Sequence, residues 1–476
     1  MTIDEKTHRR SKRLMTRRRP LALALSLLLV ATARADDAIK PRFSPTQRMA
    51  PAHLEKTHSD VSRLKAARKT LPTRPGLTDF RAILHAHAED SAHTGGTRPE
   101  MLAEAKKAGV NAIFLSNHHR PPTDFMTDSW RGLHDGVLFI PGSEDRGFLL
   151  APMRSIAGNM KDSTADLIKA ATADGGLIWL SHIEERPGHS MEGLSGMEIY
   201  NRHADAKKDT AGLLGLVLKL TDPKGVAELE KSLALYPDEL FASQVEYPAD
   251  YLAKWDKETQ TRRLSGVAAN DCHHHQILLV KMVDATTVLV GTNVDKDEDM
   301  RKLTATLRPG IRQLTRGRKP GDVLIKLDLD PYHRSFQNVS THIFAKELTE
   351  PAVRSALREG HAYVSHDWIC DPTGFFFEAD GGAKKAGAGS SKGPTHAIMG
   401  DEIKMTPGLK LVAEFPLHCH IRLLRAGTVR AEVDAERIIF DVKEPGVYRV
   451  EAWVELVGEK RPWIYSNPIY IHDSGI

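Results

Sequence analysis

The strongest constraint on this chain is where its polar side chains fall relative to its apolar segments. Short apolar segments that read as strands alternate with segments of helical period, and nearly every strand ends in a side chain able to ligate a metal. Residues 81–84 run into His85-Ala86-His87, with His93 following in the next loop. Residues 110–115 run into Ser116-Asn117-His118-His119, and 137–140 into Pro141-Gly142-Ser143-Glu144. Residues 177–180 lead to Ser181-His182, 196–200 to Asn201, and 264–269 to Asn270-Asp271-Cys272-His273. Between them, 99–108 reads as a helix with Pro99 early and Gly109 at its end, and 164–173 as a helix ended by Gly175-Gly176. Such alternation predicts an α/β fold with a parallel sheet. In a barrel of parallel strands the C-terminal ends meet at one mouth, so residues far apart in sequence would gather there.

Each motif alone has a bland reading. An H-x-H pair fits a solvated strand edge, Pro-Gly is mainly a turn signal, and a single histidine such as His134 or His333 is ordinarily surface or satisfied core. Their joint order, each after a strand, points to a metal site. An H-x-H pair can turn both imidazoles toward one cation where the strand leaves its regular pleat. Carboxylates such as Glu144 and Asp271 can bridge two cations, and mixed His/carboxylate sites suit Zn, Mn or Fe. Arg120, Arg146, Arg202 and His119 also follow strand ends and could face a substrate or be ordinary surface residues.

Charge narrows the partners. Nine of the 66 Lys and Arg and two of the 62 acids lie in residues 1–35, which leaves 57 bases against 60 acids elsewhere. The net +4 is therefore a property of the N-terminus, and no nucleic-acid footprint is expected on the body of the chain. The basic stretch to Arg19, the apolar run 20–31 and Ala33-Arg34-Ala35 have the layout of a secretory signal peptide. An exported protein with no membrane span after cleavage is the expectation. Residues 36–78 read as a polar leader, 79–365 as the α/β module with a helical insertion at about 204–263, and 366–476 as a small β-sandwich. Within the last, 381–394 is a Gly/Lys/Ser-rich loop, and Cys370 and Cys419 could pair in an oxidising compartment.

These residues resemble the polymerase and histidinol phosphatase (PHP) metallohydrolases over about residues 80–275. The resemblance implies a distorted (β/α)7 barrel holding one to three Zn, Mn or Fe ions, with two expected. It implies that His85, His87, Glu144 and Asp271 hold one ion, that Glu144 bridges to a second with His182, and that His93, His118 and His273 hold a third. Two positions depart from the family pattern. Asn117 stands where an Asp is usual, and Phe148 stands where the family often has His, leaving His119 or Asn201 to substitute at the second ion. The closing D-x-H and the Pro-Gly-x-Glu turn set the chain apart from the amidohydrolases, which also open with H-x-H. The implied activity is hydrolysis of a small-molecule phosphoester by a metal-bound hydroxide, with His118, His119, Arg146 and Arg202 as catalytic candidates. A carbamate or carboxylic ester hydrolase on the same site is the alternative, and a non-catalytic metal-containing binding protein the third reading.

Overall fold

In the chain's first half, apolar runs become strands whose buried faces meet along their length. The computed structural model describes residues 41–208, 210–381 and 395–473. The export signal expected at 1–35 and the loop at 382–394 lie outside the described residues. In chain order the first strands are β1 (Thr78–Ala86), β2 (Ala112–Leu115), β3 (Gly132–His134), β4 (Val137–Ile140), β5 (Ser143–Asp145), β6 (Phe148–Ala151), β7 (Leu177–Leu180), β8 (Gly196–Asn201) and β9 (Ser265–Ala269). β1, β2 and β4 pair in parallel as one arc. β7, β8 and β9 pair in parallel as another, with the β5–β6 hairpin antiparallel on its edge. The arcs share one buried core, with Ala82, Leu84, Phe114, Leu138 and Ile140 of the first in a cluster with Leu177, Trp179 and Val267 of the second, and their backbones are also joined. An isolated parallel bridge joins Ala86 to Cys272, and the Glu144 N–H donates to the Ser116 carbonyl at 2.8 Å. The protein is thus a mixed α/β fold with several sheets.

The connecting helices start and stop on local chemistry. Thr97 and Glu100 form a capping box at the start of helix Arg98–Ala108, and Gly109 ends it in the left-handed conformation (φ 69°). After β8 come helices Arg202–Lys208, Thr210–Lys219, Pro223–Leu235, Pro237–Phe241 and Ala249–Glu258, in the region read as a helical insertion. The stretch read as a polar leader holds a seventeen-residue helix, Pro51–Ala67, which buries Leu54, Thr57, Val61 and Leu64. Residues 276–345, barely legible in the sequence, form β10 (Ile277–Asp284), β11 (Thr287–Gly291), β12 (Arg301–Thr304) and β13 (Val323–Asp328), a separate antiparallel sheet, and then β14 (Ser340–Ala345).

β14 pairs antiparallel with β1 and with β15 (Ala362–Ser365), so the first arc continues toward the C-terminal strands. These are β16 (Phe376–Asp380), β17 (His396–Ile398), β18 (Glu402–Lys404), β19 (Lys410–Arg425), β20 (Thr428–Asp441), β21 (Gly446–Leu456), β22 (Glu459–Ser466) and β23 (Ile469–His472). β22 pairs with β15, which makes one sheet from β3 through β1 to β17. β19 is a single sixteen-residue strand whose register with β20 shifts between Glu414 and Cys419. Cys370 and Cys419 are both buried and free. Trp463 is fully buried, and its indole N–H donates to the Cys370 carbonyl at 3.0 Å. Every described residue falls within one compact unit, residues 39–476.

Candidate metal centre

The strand ends of both arcs bring five imidazoles and two carboxylates together. The β1–β2 register slips between Ile83 and Ala86, a bulge that takes the strand out of regular pleat at His85. His182 and Asp271 have left-handed backbones (φ 50° and 48°), uncommon for non-glycine residues and frequent where a strand end must re-aim a side chain. Glu144 lies at the middle. Its Oε2 is 3.2 Å from His85 Nε2, 3.5 Å from His87 Nε2 and 3.6 Å from His118 Nε2, and its Oε1 is 3.0 Å from His182 Nε2. Asp271 Oδ1 is 3.4 Å from both His85 and His87 Nε2 and 3.0 Å from His273 Nε2. The His87 and His273 rings stack with centroids 4.0 Å apart.

The five rings share one arrangement. Each points Nε2 at the carboxylates while Nδ1 is held by an outer partner. His85 Nδ1 meets Glu198 Oε1 at 2.8 Å, His87 meets Ser91 Oγ at 3.2 Å, and His118 meets the Glu144 carbonyl at 3.2 Å. His182 meets Glu184 Oε1 at 3.2 Å, and His273 meets Thr94 Oγ1 at 2.9 Å. Outer partners of this kind fix ring orientation and leave Nε2 as the free donor, as in metal-ligating histidines. Tetrahedral donors about 2.1 Å from one ion would sit ~3.4 Å from each other, which is the spacing seen here. The donor set therefore fits divalent cations. Two groups of convergent donors, His85/His87/Glu144/Asp271 and His87/His118/His273, share His87, and a third, His182/Glu184/Glu185, adjoins through Glu144.

Electrostatics agree. Burial opposes ionisation of Glu144 and Asp271, but His85 and the other imidazoles outweigh it and hold both carboxylates well below their usual range. Burial also works against charge on His182, yet its bonds to Glu144 and Glu184 push it up to about 10. His87 is pulled well down by burial and by its neighbour His273. The centre gathers negative charge and aims neutral or displaceable donors at it, as a cation site requires.

Of the residues singled out in the sequence, His85, His87, His118, Glu144, His182, Asp271 and His273 come together. His93 is exposed on its loop and outside these groups. Arg146 is exposed and donates to Asp145 and to the carbonyls of Met160 and Asp162, bracing a loop. The Arg202 guanidinium lies 4.4 Å over the Phe241 ring and donates to Gln244, turned into the helical insertion. His119 packs its ring against Phe125. Phe148 is fully buried in β6, so the usual histidine position carries core here. Asn117 accepts from the Ala88 N–H at 2.7 Å and donates to Asp90, pinning the loop behind His87. Asn201 donates to Glu198 and caps the next helix through His203 N, so it supports the centre from behind.

Two contributors are not evident in the sequence. His203 Nδ1 stands 3.6 Å from Asp271 Oδ2, and its only signal is its place just after β8. Glu198, fully buried, receives Ser181 Oγ–H, the His182 N–H and Asn201 Nδ2–H besides holding His85. A register shift between Glu198 and Tyr200 turns it to the same side as Asn201.

No protein-family model matches the chain, and no curated protein matches it. Among solved structures, it is similar to a two-domain protein from Bacteroides vulgatus containing a predicted PHP-like metal-dependent phosphoesterase. The identity is 12%, the match covers 84% of this chain and 98% of that one, and the TM-score is 0.33. A likeness so weak carries no weight beside the chemistry of the centre itself.

Proposed function

We propose that this protein is a metal-dependent hydrolase acting on a phosphoester. The observation that carries the reading is the shared aim of five imidazoles, each anchored at Nδ1 with Nε2 turned inward, onto two buried carboxylates. His85, His87, Glu144 and Asp271 would hold one ion; His118 and His273 stand beside it as donors for another; His182 would serve Glu144 from the far side. Divalent ions so held supply Lewis acidity and activate water near neutral pH. The chain's own part is to fix the donors through Glu198, Glu184, Ser91 and Thr94. Glu144 turns Oε2 toward His85, His87 and His118 and Oε1 toward His182, so one carboxylate can serve adjacent ions, an arrangement suited to clamping the oxygens of an in-line phosphoryl displacement, and this favours phosphoesters over carboxylic esters and carbamates. In the same reading the two arcs are halves of a distorted barrel, the C-terminal strands form a sandwich, and the protein works outside the cytoplasm after losing residues 1–35.

The test is turnover of p-nitrophenyl phosphate, bis(p-nitrophenyl) phosphate, p-nitrophenyl acetate and an aryl carbamate by protein loaded with Mn or Zn. Phosphate release that His85→Ala abolishes is the expected result. Turnover of acetate or carbamate alone would replace the phosphoester reading, and retained metal without any turnover would favour the binding-protein reading.

A further inference from the structure

A cavity of about 320 Å³ opens beside the centre, and its walls are mainly apolar. Leu233 and Leu240 enter from helices Pro223–Leu235 and Pro237–Phe241, Leu278 from β10, and Leu329 from just beyond β13. All four are only partly buried, packed on one side against the core that β10, β11 and β13 share with the insertion. Their other sides line the cavity. Apolar surface left in this way favours a ligand whose methylenes cover it.

The cavity adjoins the metal centre through two histidines. His203 lines it and also stands 3.6 Å from Asp271 Oδ2. His275 lines it too, with its ring 5.1 Å from that of His273. A ligand with its polar head at the carboxylates and imidazoles would therefore pass its remainder across His203 and His275 onto the leucines. The volume is at the lower end of small-molecule sites, which are mostly apolar with a few orienting polar groups.

Building on the hydrolase reading, we infer that the cavity beyond His203 takes an apolar alkyl, acyl or aryl arm of the molecule whose polar head occupies the metal centre. The natural substrate is then an amphiphilic ester, and the arm sets specificity while the centre sets reaction type. Neither the β10–β13 sheet nor the helical insertion carries donors of the two central groups, and holding such an arm gives both of them a role.

Non-hydrolysable alkylphosphonates test it. Calorimetry on the metal-loaded full chain should show octylphosphonate binding at least ~30-fold tighter than methylphosphonate, since several methylenes leave water. Leu240→Gln and, independently, Leu278→Gln should weaken octylphosphonate about tenfold through lost apolar cover and leave methylphosphonate within twofold. Equal affinities across the chain-length series on the unaltered protein, or no octylphosphonate binding, would overturn the inference while leaving p-nitrophenyl phosphate turnover to stand. An octyl preference in a protein that turns over none of the p-nitrophenyl substrates would support the cavity and refute the hydrolase reading.

Discussion

Strand β1 carries a buried histidine–carboxylate group at each end, and the two are wired differently. At its start, His342 gives Nδ1 to Asp79 at 2.8 Å and Nε2 to Asp367 at 3.2 Å. Tyr363 donates its hydroxyl to Asp79, Ser340 donates to Asp367, and Arg81 pairs with Asp367 at 2.9 Å. One imidazole stands between two carboxylates whose oxygens are also taken by an arginine and two hydroxyls, so the group is closed. At the other end, five imidazoles turn Nε2 toward two shared carboxylates, Glu144 and Asp271, and hold Nδ1 on outer partners. Similar residue types and similar burial thus give a structural clasp in one place and a cation receptor in the other. The difference lies in what meets the carboxylates: an arginine and hydroxyls in the clasp, imidazoles with a lone pair to offer a cation in the receptor.

The largest expected contrast comes from removing one carboxylate at each end. Asp271→Ala should cost metal and lower turnover at least about a thousandfold, since ion-derived stabilisation amounts to several kcal/mol. Asp367→Ala should keep its metal and lose about 3–5 kcal/mol of stability, because it strands Arg81 and His342 without their partner. Urea unfolding and metal content measured side by side check both; an Asp367→Ala protein that is stable but metal-free would collapse the distinction.

The closed group should also contribute to the pH dependence of stability. His342 is held up to about 9: burial alone would lower it, but Asp79 and Asp367 raise it. A folded-state value above the unfolded one stabilises below the unfolded pKa of about 6.5, and that stability is lost as pH climbs through the folded value. Unfolding free energy should fall by on the order of 3 kcal/mol between pH 6.5 and 9.5, and His342→Gln should flatten that slope. A smaller effect is expected at the open end. Glu198→Gln leaves every primary donor in place and should weaken metal binding ten- to a hundredfold, read by competition with a fluorescent chelator. The smallest is Arg146→Ala, an exposed loop brace, which should change stability by less than about 0.5 kcal/mol and leave metal stoichiometry alone.

The open end is the more legible in the sequence, because its ligands follow apolar strands and strand ends converge whatever the details of closure. His85, Glu144 and Asp271 need only that rule. Glu198 is hidden because it lies inside an apolar strand, where strict alternation cannot show that a bulge re-aims it. His203 is hidden because the apolar pattern of β8 stops at Asn201 and a helix begins. His93 fits the spacing yet sits on an exposed loop with φ 62°, which no strand rule governs. The Pro51–Ala67 helix is masked by its charged, exposed face, although Leu54, Val61 and Leu64 fall on helical spacing. The closed group is illegible altogether, since Asp79, His342 and Asp367 meet through the antiparallel pairings of β1 with β14 and of β14 with β15, just after which Asp367 lies.

Counting bound ions is the most direct trial of the receptor. After loading with Zn or Mn and exhaustive dialysis, elemental analysis should find at least one ion per unaltered chain, and less than a tenth of that in a folded His85→Ala/Asp271→Ala double variant. Equal metal in both proteins, or none in either, would contradict the assignment of these side chains.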